Sequence, residues 1–257
     1  MILNKFFLSK QVNFRLFLHK RMRQFRIAGV PERFFDAIKD QLIMCRGGTG
    51  EMIEKLNNKD LDIAIGLTEG FVKNGKFPII GQYTINPITW MICGKSAVNI
   101  KTLGISRFGS GSELMGHLLA ERENLSFNFK ECFHLEGLLE SMRNGNIDAF
   151  LWEHFTTLPH VQPREIAGSI DSPWPAFCIA CRPEILEHKE DLKRLLNEWT
   201  VKNHAFLKAN KTKTEFLKIE YPKNHSLLNV KALDECNGIL KGLKLVSLDH
   251  TFRTAQL

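Results

Sequence analysis

No aspartate or glutamate precedes Glu32 in this 257-residue chain, although Lys5, Lys10, Arg15, Lys20, Arg21, Arg23 and Arg26 all do. The formal charge of +7 belongs to that stretch alone: 35 basic residues less these seven leave 28, against 28 acids. A neutral body lacks the basic face that phosphate neutralisation requires, so no nucleic-acid partner is expected. Long apolar runs are also missing. Phe6, Phe7, Phe14, Leu16, Phe17 and Leu18 are interrupted by Lys5, Lys10 and Arg15, which excludes a membrane span or a secretory core. No membrane partner is expected. Residues 1–21 read either as a basic, acid-free mitochondrial presequence, with Ser9 its single hydroxyl residue, or as an extension ahead of a working start at Met22. The protein is accordingly expected in the cytoplasm, or in mitochondria if residues 1–21 are a presequence.

Several catalytic and cofactor patterns are absent too. Gly48 and Gly50 are followed by Ile53, and Gly109 and Gly111 by Leu114, so neither loop completes GxGxxG, and no Walker lysine follows. His117, His134, His154 and His160 show no paired-ligand spacing, and no serine sits in G-x-S-x-G. No catalytic residue, metal or cofactor is therefore expected. The six cysteines read as reduced, buried thiols. Cys178 and Cys181 have redox-motif spacing but fall in an apolar, strand-like run, where they point to opposite faces away from any helix start.

What is present suits a globular α/β protein: 44% apolar and 25% charged residues, with 19 Phe and 4 Trp. Strand-like runs at 26–30, 61–67, 79–84, 88–93, 103–108, 127–133, 147–152 and 176–181 alternate with helix-like stretches at 34–42, 51–57, 112–119 and 135–143. The stretch from 184 onward is helical, with Leu192, Leu195, Leu196 and Trp199 on one face. Alternation of this kind predicts mostly parallel sheets flanked by helices. A crossing between lobes is expected at 95–101. One internal echo stands out. Residues 51–65 align with 137–151, each an apolar-faced helix, an asparagine turn, an aspartate (Asp62, Asp148) and a buried strand. Each is followed by polar residues, Thr68-Glu69 and Glu153-His154, which points to two lobes built on one plan.

In open α/β sheets ligands gather beyond the carboxyl ends of the strands. Two glycine-rich loops open helices there, and their backbone N–H groups suit an anionic or polar group. The candidates are Gly48, Thr49 and Gly50 in one loop and Ser110, Gly111 and Ser112 in the other. Thr68, Glu69, Trp152, Glu153, Phe155 and Thr156 lie at the ends of the echoed strands. Trp152 and Phe155 are candidates to stack on a flat or cationic group, and Glu69 and Glu153 to receive an amine or ring N–H. Equally, the loops are simple caps and the aromatics simple core. Trp174, between Pro173 and Pro175, is a candidate either to border the cleft or to pack under the hinge.

The combination of Gly29-Val-Pro-Glu-Arg-Phe34, Gly47-Gly-Thr-Gly-Glu-Met52, Leu61-Asp-Ile-Ala-Ile-Gly-Leu-Thr-Glu-Gly70, Ser106-Arg-Phe-Gly-Ser-Gly-Ser112, Trp152-Glu-His-Phe-Thr-Thr157 and Pro173-Trp-Pro175 resembles the type II periplasmic-binding-protein-like superfamily. Within it, the likeness is to the thiamine-precursor, taurine and alkanesulfonate-binding branch and to stand-alone intracellular eukaryotic members. The resemblance implies a two-lobed fold: lobe I from 22–96 and 182–257, lobe II from 97–181, with a hinge and an interlobe ligand. It also adds Glu32 as a ligand contact, and implies a small anionic or heteroaromatic guest bound without catalysis by a monomer or weak dimer. The alternatives are an enzyme like the thiamine-pyrimidine synthase, whose cysteine-rich motif is missing here, and a non-binding remnant or scaffold. Two departures stand out. Only residues 35–46 separate Phe34 from Gly47, too few for the helix, loop and second strand of relatives, so lobe I is expected to lack an element. Arg33 stands where relatives commonly have His.

Overall fold

The computed structural model describes residues 23–97, 99–213 and 219–257. The presequence reading of residues 1–21 and the helical reading around Leu217 lie outside the described residues. Among the described residues, ten strands form two five-stranded sheets. In the first, β1 (Ile27–Gly29), β2 (Ile43–Met44), β3 (Ile63–Leu67), β4 (Ile79–Gln82) and β10 (Phe177–Cys181) take the order β2-β1-β3-β10-β4. The second holds β5 (Thr89–Gly94), β6 (Thr102–Ile105), β7 (Asn128–Glu131), β8 (Ala149–Glu153) and β9 (Ile166–Asp171), in the order β7-β6-β8-β5-β9.

Each sheet has four strands running one way and a fifth, β10 or β5, antiparallel to both of its neighbours. That fifth strand is the one arriving from the other lobe. β3 and β10 are apolar along their length and buried on both faces, apart from the half-buried Leu67, as a strand covered by helices on both sides requires.

The helices are α1 (Gly48–Asn57), α2 (Thr68–Asn74), α3 (Gly111–Glu123), α4 (Leu135–Arg143), α5 (His154–Thr157), α6 (Lys189–Ala209) and α7 (Val230–Gly242). The echo maps onto α1–β3 and α4–β8, which occupy the same place in the two sheets. Its aspartates do the same work. Asp62 accepts the backbone N–H of Arg26, just before β1, and Asp148 accepts those of Lys101 and Thr102, at the start of β6. Burial would raise the Asp62 carboxyl, but hydrogen bonds from Arg26 and Arg182 outweigh it and hold the group at about 2.

Two expectations are corrected. The lobe boundaries fall earlier than 96 and 181. β5 already belongs to lobe II and β10 already to lobe I, so the crossings are residues 83–88 and 172–176 rather than 95–101. A buried apolar strand carries no mark of which sheet it joins. Residues 34–42 form no α-helix. They make two 3-10 turns, Arg33–Phe35 and Lys39–Gln41, leading into the two-residue β2. Their place corresponds to α3 in lobe II, so the element missing from lobe I is the helix between its first two strands. Arg33 faces solvent beside Asp36.

The C-terminal part is tied to lobe I by a buried polar cluster. Tyr83 stacks between Phe35 and His225, with ring centroids 5.0 Å away on each side. His225 Nδ1 meets the Gln82 carbonyl at 2.9 Å, and its Nε2 lies 2.9 Å from Asn203 Nδ2. Since Asn203 donates, Nε2 is the acceptor and the ring is neutral. Burial pushes His225 down to about 4. The unfolded chain therefore takes up this proton near pH 6.5 and the folded one only near 4, so stability falls as pH drops between those values, by about 3 kcal/mol in all. The Glu32 and Glu69 carboxyls, raised to about 8 and about 7, gain stability over the same range, so the His225 contribution is read as a difference. From pH 7.5 to 4.5, urea unfolding should show His225→Asn gaining more stability than the wild type; parallel changes in the two would contradict this role.

Candidate functional site

The carboxyl ends of β1 and β3 in lobe I meet those of β6 and β8 in lobe II. Two glycine loops enter this junction with one local design. The N–H of Gly47 is accepted by Glu51 Oε2 at 2.7 Å, and that of Gly109 by Glu113 Oε2 at 2.7 Å. Gly48 and Gly109 have φ of 67° and 83°, which favour glycine. The first N–H groups of α1 and α3 then face the junction without intrahelical partners, as at any helix start. The two loops are not counterparts, however. α1 follows the edge strand β2 of its sheet, whereas α3 follows β6, the strand next to the edge.

Across the junction each helix start meets a charged side chain of the other lobe. A Cβ built on Gly50 would lie 2.5 Å from Nη2 and 3.1 Å from Nε of Arg107, so the guanidinium lies directly over the start of α1. Arg107 is half-buried; its carbonyl accepts Ser110 N–H at 3.2 Å, and its guanidinium has no hydrogen-bond or ion-pair partner among the described residues. Burial lowers its pKa, against the pull of Glu51 and Glu131. In the opposite direction, a Cβ on Gly111 would lie 3.0 Å from Glu69 Oε1, 2.8 Å from Leu67 Cδ1 and 3.1 Å from Trp90 Cη2. Glu69 Oε2 accepts Trp174 Nε1–H at 2.8 Å, while Oε1 and the buried Trp90 Nε1 have no partner. Burial pushes Glu69 up to about 7. Glu32 is pushed up to about 8, first by burial and then by Glu153.

The expected residues divide. Gly48, Gly50, Glu32, Glu69, Gly111 and Trp174 come together at the junction. Thr49 and Thr68 are used internally: Thr49 Oγ1 accepts Leu67 N–H at 2.9 Å, and Thr68 donates to the Pro175 carbonyl at 2.6 Å. Ser110 caps α3 and Ser112 accepts Ser106 N–H at 2.9 Å, so these hydroxyls brace the loop. Glu153 accepts from Phe155 N, Thr156 N and Thr156 Oγ1, which makes it and Thr156 the cap of α5. Trp152 is half-buried. It packs with the apolar cluster of Met91, Leu138 and Phe150 within lobe II. Phe155 lies edge-on to His154. Trp174 is buried beneath the crossings rather than bordering an open cleft. The lobes touch at Gly50 and Gly111. Arg107 and Trp90 were missed, although Arg107 is the lone cation of the 106–112 loop. An open groove of about 330 Å³ beside β7 and α4, lined by Glu131, Phe133, His134 and Glu140 among others, contains none of the expected residues.

Comparison with known proteins follows the same lines. A Candida albicans protein, described as defining a new family with the generic periplasmic binding protein fold, matches with a TM-score of 0.80 at 20% identity, over 91% of this chain and 97% of that one. The chain has the periplasmic-binding-protein fold. The family model described as Ca3427-like PBP matches residues 92–170, most of lobe II. The fold is shared with the aliphatic sulphonate binding protein SsuA of Escherichia coli, with a TM-score of 0.55 at 12% identity over 82% of this chain and 81% of that one. It is shared also with PhnD1 of Prochlorococcus marinus in complex with methylphosphonate, with a TM-score of 0.55 at 11% identity over 86% and 98%. No curated protein matches the sequence. The expected two-lobed periplasmic-binding-protein fold therefore holds.

The Gly111 contacts yield a prediction. Gly111→Ala places a methyl against Leu67, Glu69 and Trp90, an overpacking worth roughly 1–3 kcal/mol if the lobes stay closed. Small-angle scattering should show a larger radius of gyration for the variant. An unchanged radius and melting temperature would contradict a tight junction at Gly111.

Proposed function

We propose that this protein binds a small anion between its lobes and releases it unchanged. One observation carries the reading: the unpaired Arg107 guanidinium over the N-terminus of α1. A helix start bears a partial positive charge, so a cation set against it is unfavourable by about 0.3–1 kcal/mol. An anion between the two reverses the sign of both interactions. The start of α3 and the unpartnered Trp90 N–H add donors nearby. The aliphatic sulphonate and methylphosphonate of the two bacterial proteins are compatible examples of such an anion. A flat heteroaromatic guest, thiamine precursors included, is less well served, because Trp152 is engaged within lobe II.

Binding without chemistry fits the thiols: burial raises Cys45 to about 11 and Cys93 and Cys181 to about 12, leaving no thiolate nucleophile there. The type II arrangement belongs to the same proposal, supported by the equal strand order of the two sheets. So does residence in the cytoplasm or, with a presequence, in mitochondria. A second reading, a scaffold without a guest, is favoured by the contacts that close the junction.

Thermal unfolding with methylphosphonate, methanesulfonate, phosphate and thiamine precursors separates the two. A ligand at about a hundred times its Kd stabilises by about 2.7 kcal/mol, or roughly 5 °C or more for a chain of this size. Arg107→Ala should remove that shift. No shift with any of the compounds would favour the scaffold.

A further inference from the structure

Resting on the reading of an interlobe anion site, we infer that Glu69 selects the ligand: its free carboxylate oxygen accepts a hydrogen bond, so the site takes an anion that itself carries a hydrogen-bond donor. Glu69 is only 3% exposed. Its Oε2 is engaged by Trp174, whose position between Pro173 and Pro175 on the return crossing fixes the carboxylate in place. Its Oε1 has no partner, although buried acceptors are rarely left unsatisfied.

That oxygen lies at the contact between lobes rather than in the interior of one. It faces the first residue of the 13-residue α3, 3.0 Å from where a Gly111 side chain would begin. When the lobes part, Oε1 becomes the acceptor that lobe I presents to whatever enters, while the start of α3, Arg107 and Trp90 present charge and donors. An anion with no donor meets a carboxylate it cannot satisfy. One bearing an ammonium or an acidic hydroxyl satisfies Glu69 and the donors together. Selection of this kind is strong, because a mismatched ligand leaves the buried acceptor unpaired.

The test is titration calorimetry at pH 8, above the raised Glu69 value so that the carboxylate is charged, with three ligands of similar size. Propylsulfonate has no donor, propylphosphonate keeps an acidic hydroxyl in its monoanion, and 2-aminoethylphosphonate, its phosphonate mostly fully ionised, has an ammonium. The wild type should bind at least one phosphonate about 10-fold tighter than propylsulfonate, the discrimination expected of one charge-assisted hydrogen bond. Tight propylphosphonate identifies the hydroxyl as the donor, and tight 2-aminoethylphosphonate alone identifies the ammonium. In Glu69→Gln the Trp174 N–H holds the amide oxygen, so an NH2 replaces Oε1 and the order should invert towards propylsulfonate. Glu69→Asp keeps the charge but draws the oxygen back from Gly111 and should lose most of the preference, which preserves the test if Glu69→Gln fails to fold. Binding of all three without preference, or an order unchanged in Glu69→Gln, overturns the inference alone. Binding of none overturns the anion site and the inference with it.

Discussion

The structure depends on an exchange of charged side chains between its halves. Lobe II lays Arg107 over the start of α1, and lobe I sets Glu69 against the start of α3. The two contacts have opposite signs. A carboxylate beside a helix N-terminus is stabilising and a guanidinium there is not, each by a fraction of a kcal/mol to about 1 kcal/mol. The closed junction thus contains one favourable and one frustrated helix-end contact, and it leaves Glu69 Oε1 without a hydrogen-bond partner among the described residues. The frustrated one gives an anion somewhere to act.

The exchange is possible because the backbone is exchanged as well. β5 leaves lobe I to become a central strand of lobe II, and β10 returns to become a central strand of lobe I. The crossings are bonded to one another: Ser172 N–H donates to the Ile88 carbonyl at 3.0 Å and Ala176 N–H to that of Asn86 at 3.0 Å. Thr68 and Trp174 brace the same ribbon. A pair of short crossings joined in this way suits the hinge closure of two rigid bodies, since each sheet keeps its own hydrogen bonds while the ribbon bends.

How far the sequence reveals this varies by residue. The echo of 51–65 in 137–151 is legible because helix period, turn, aspartate and strand all repeat, and both aspartates prove to cap a neighbouring strand. The shortfall of residues between Phe34 and Gly47 is legible as arithmetic on element lengths. Lobe membership of 88–94 is not, because burial on both faces makes a strand apolar whichever sheet receives it. Among site residues, Glu69 and Gly111 follow from position at strand ends and helix starts. Trp152 misleads for a reason of parity: side chains alternate along β8, and Trp152 lies on the face of Phe150, packed against α4. Glu153 misleads because a carboxylate at a strand end serves a ligand or the next helix equally well, and here the helix takes all its hydrogen bonds.

An interlobe anion site requires that a guest reach Arg107 and the two helix starts. Titrating methylphosphonate into 15N-labelled protein, and following backbone amides by two-dimensional NMR, addresses this most directly. The amides of Gly50 and Gly111, which lie in different lobes, should shift together and saturate at one concentration along with the Arg107 side-chain N–H. Shifts confined to the groove around Phe133 and His134, or none at all, would contradict it.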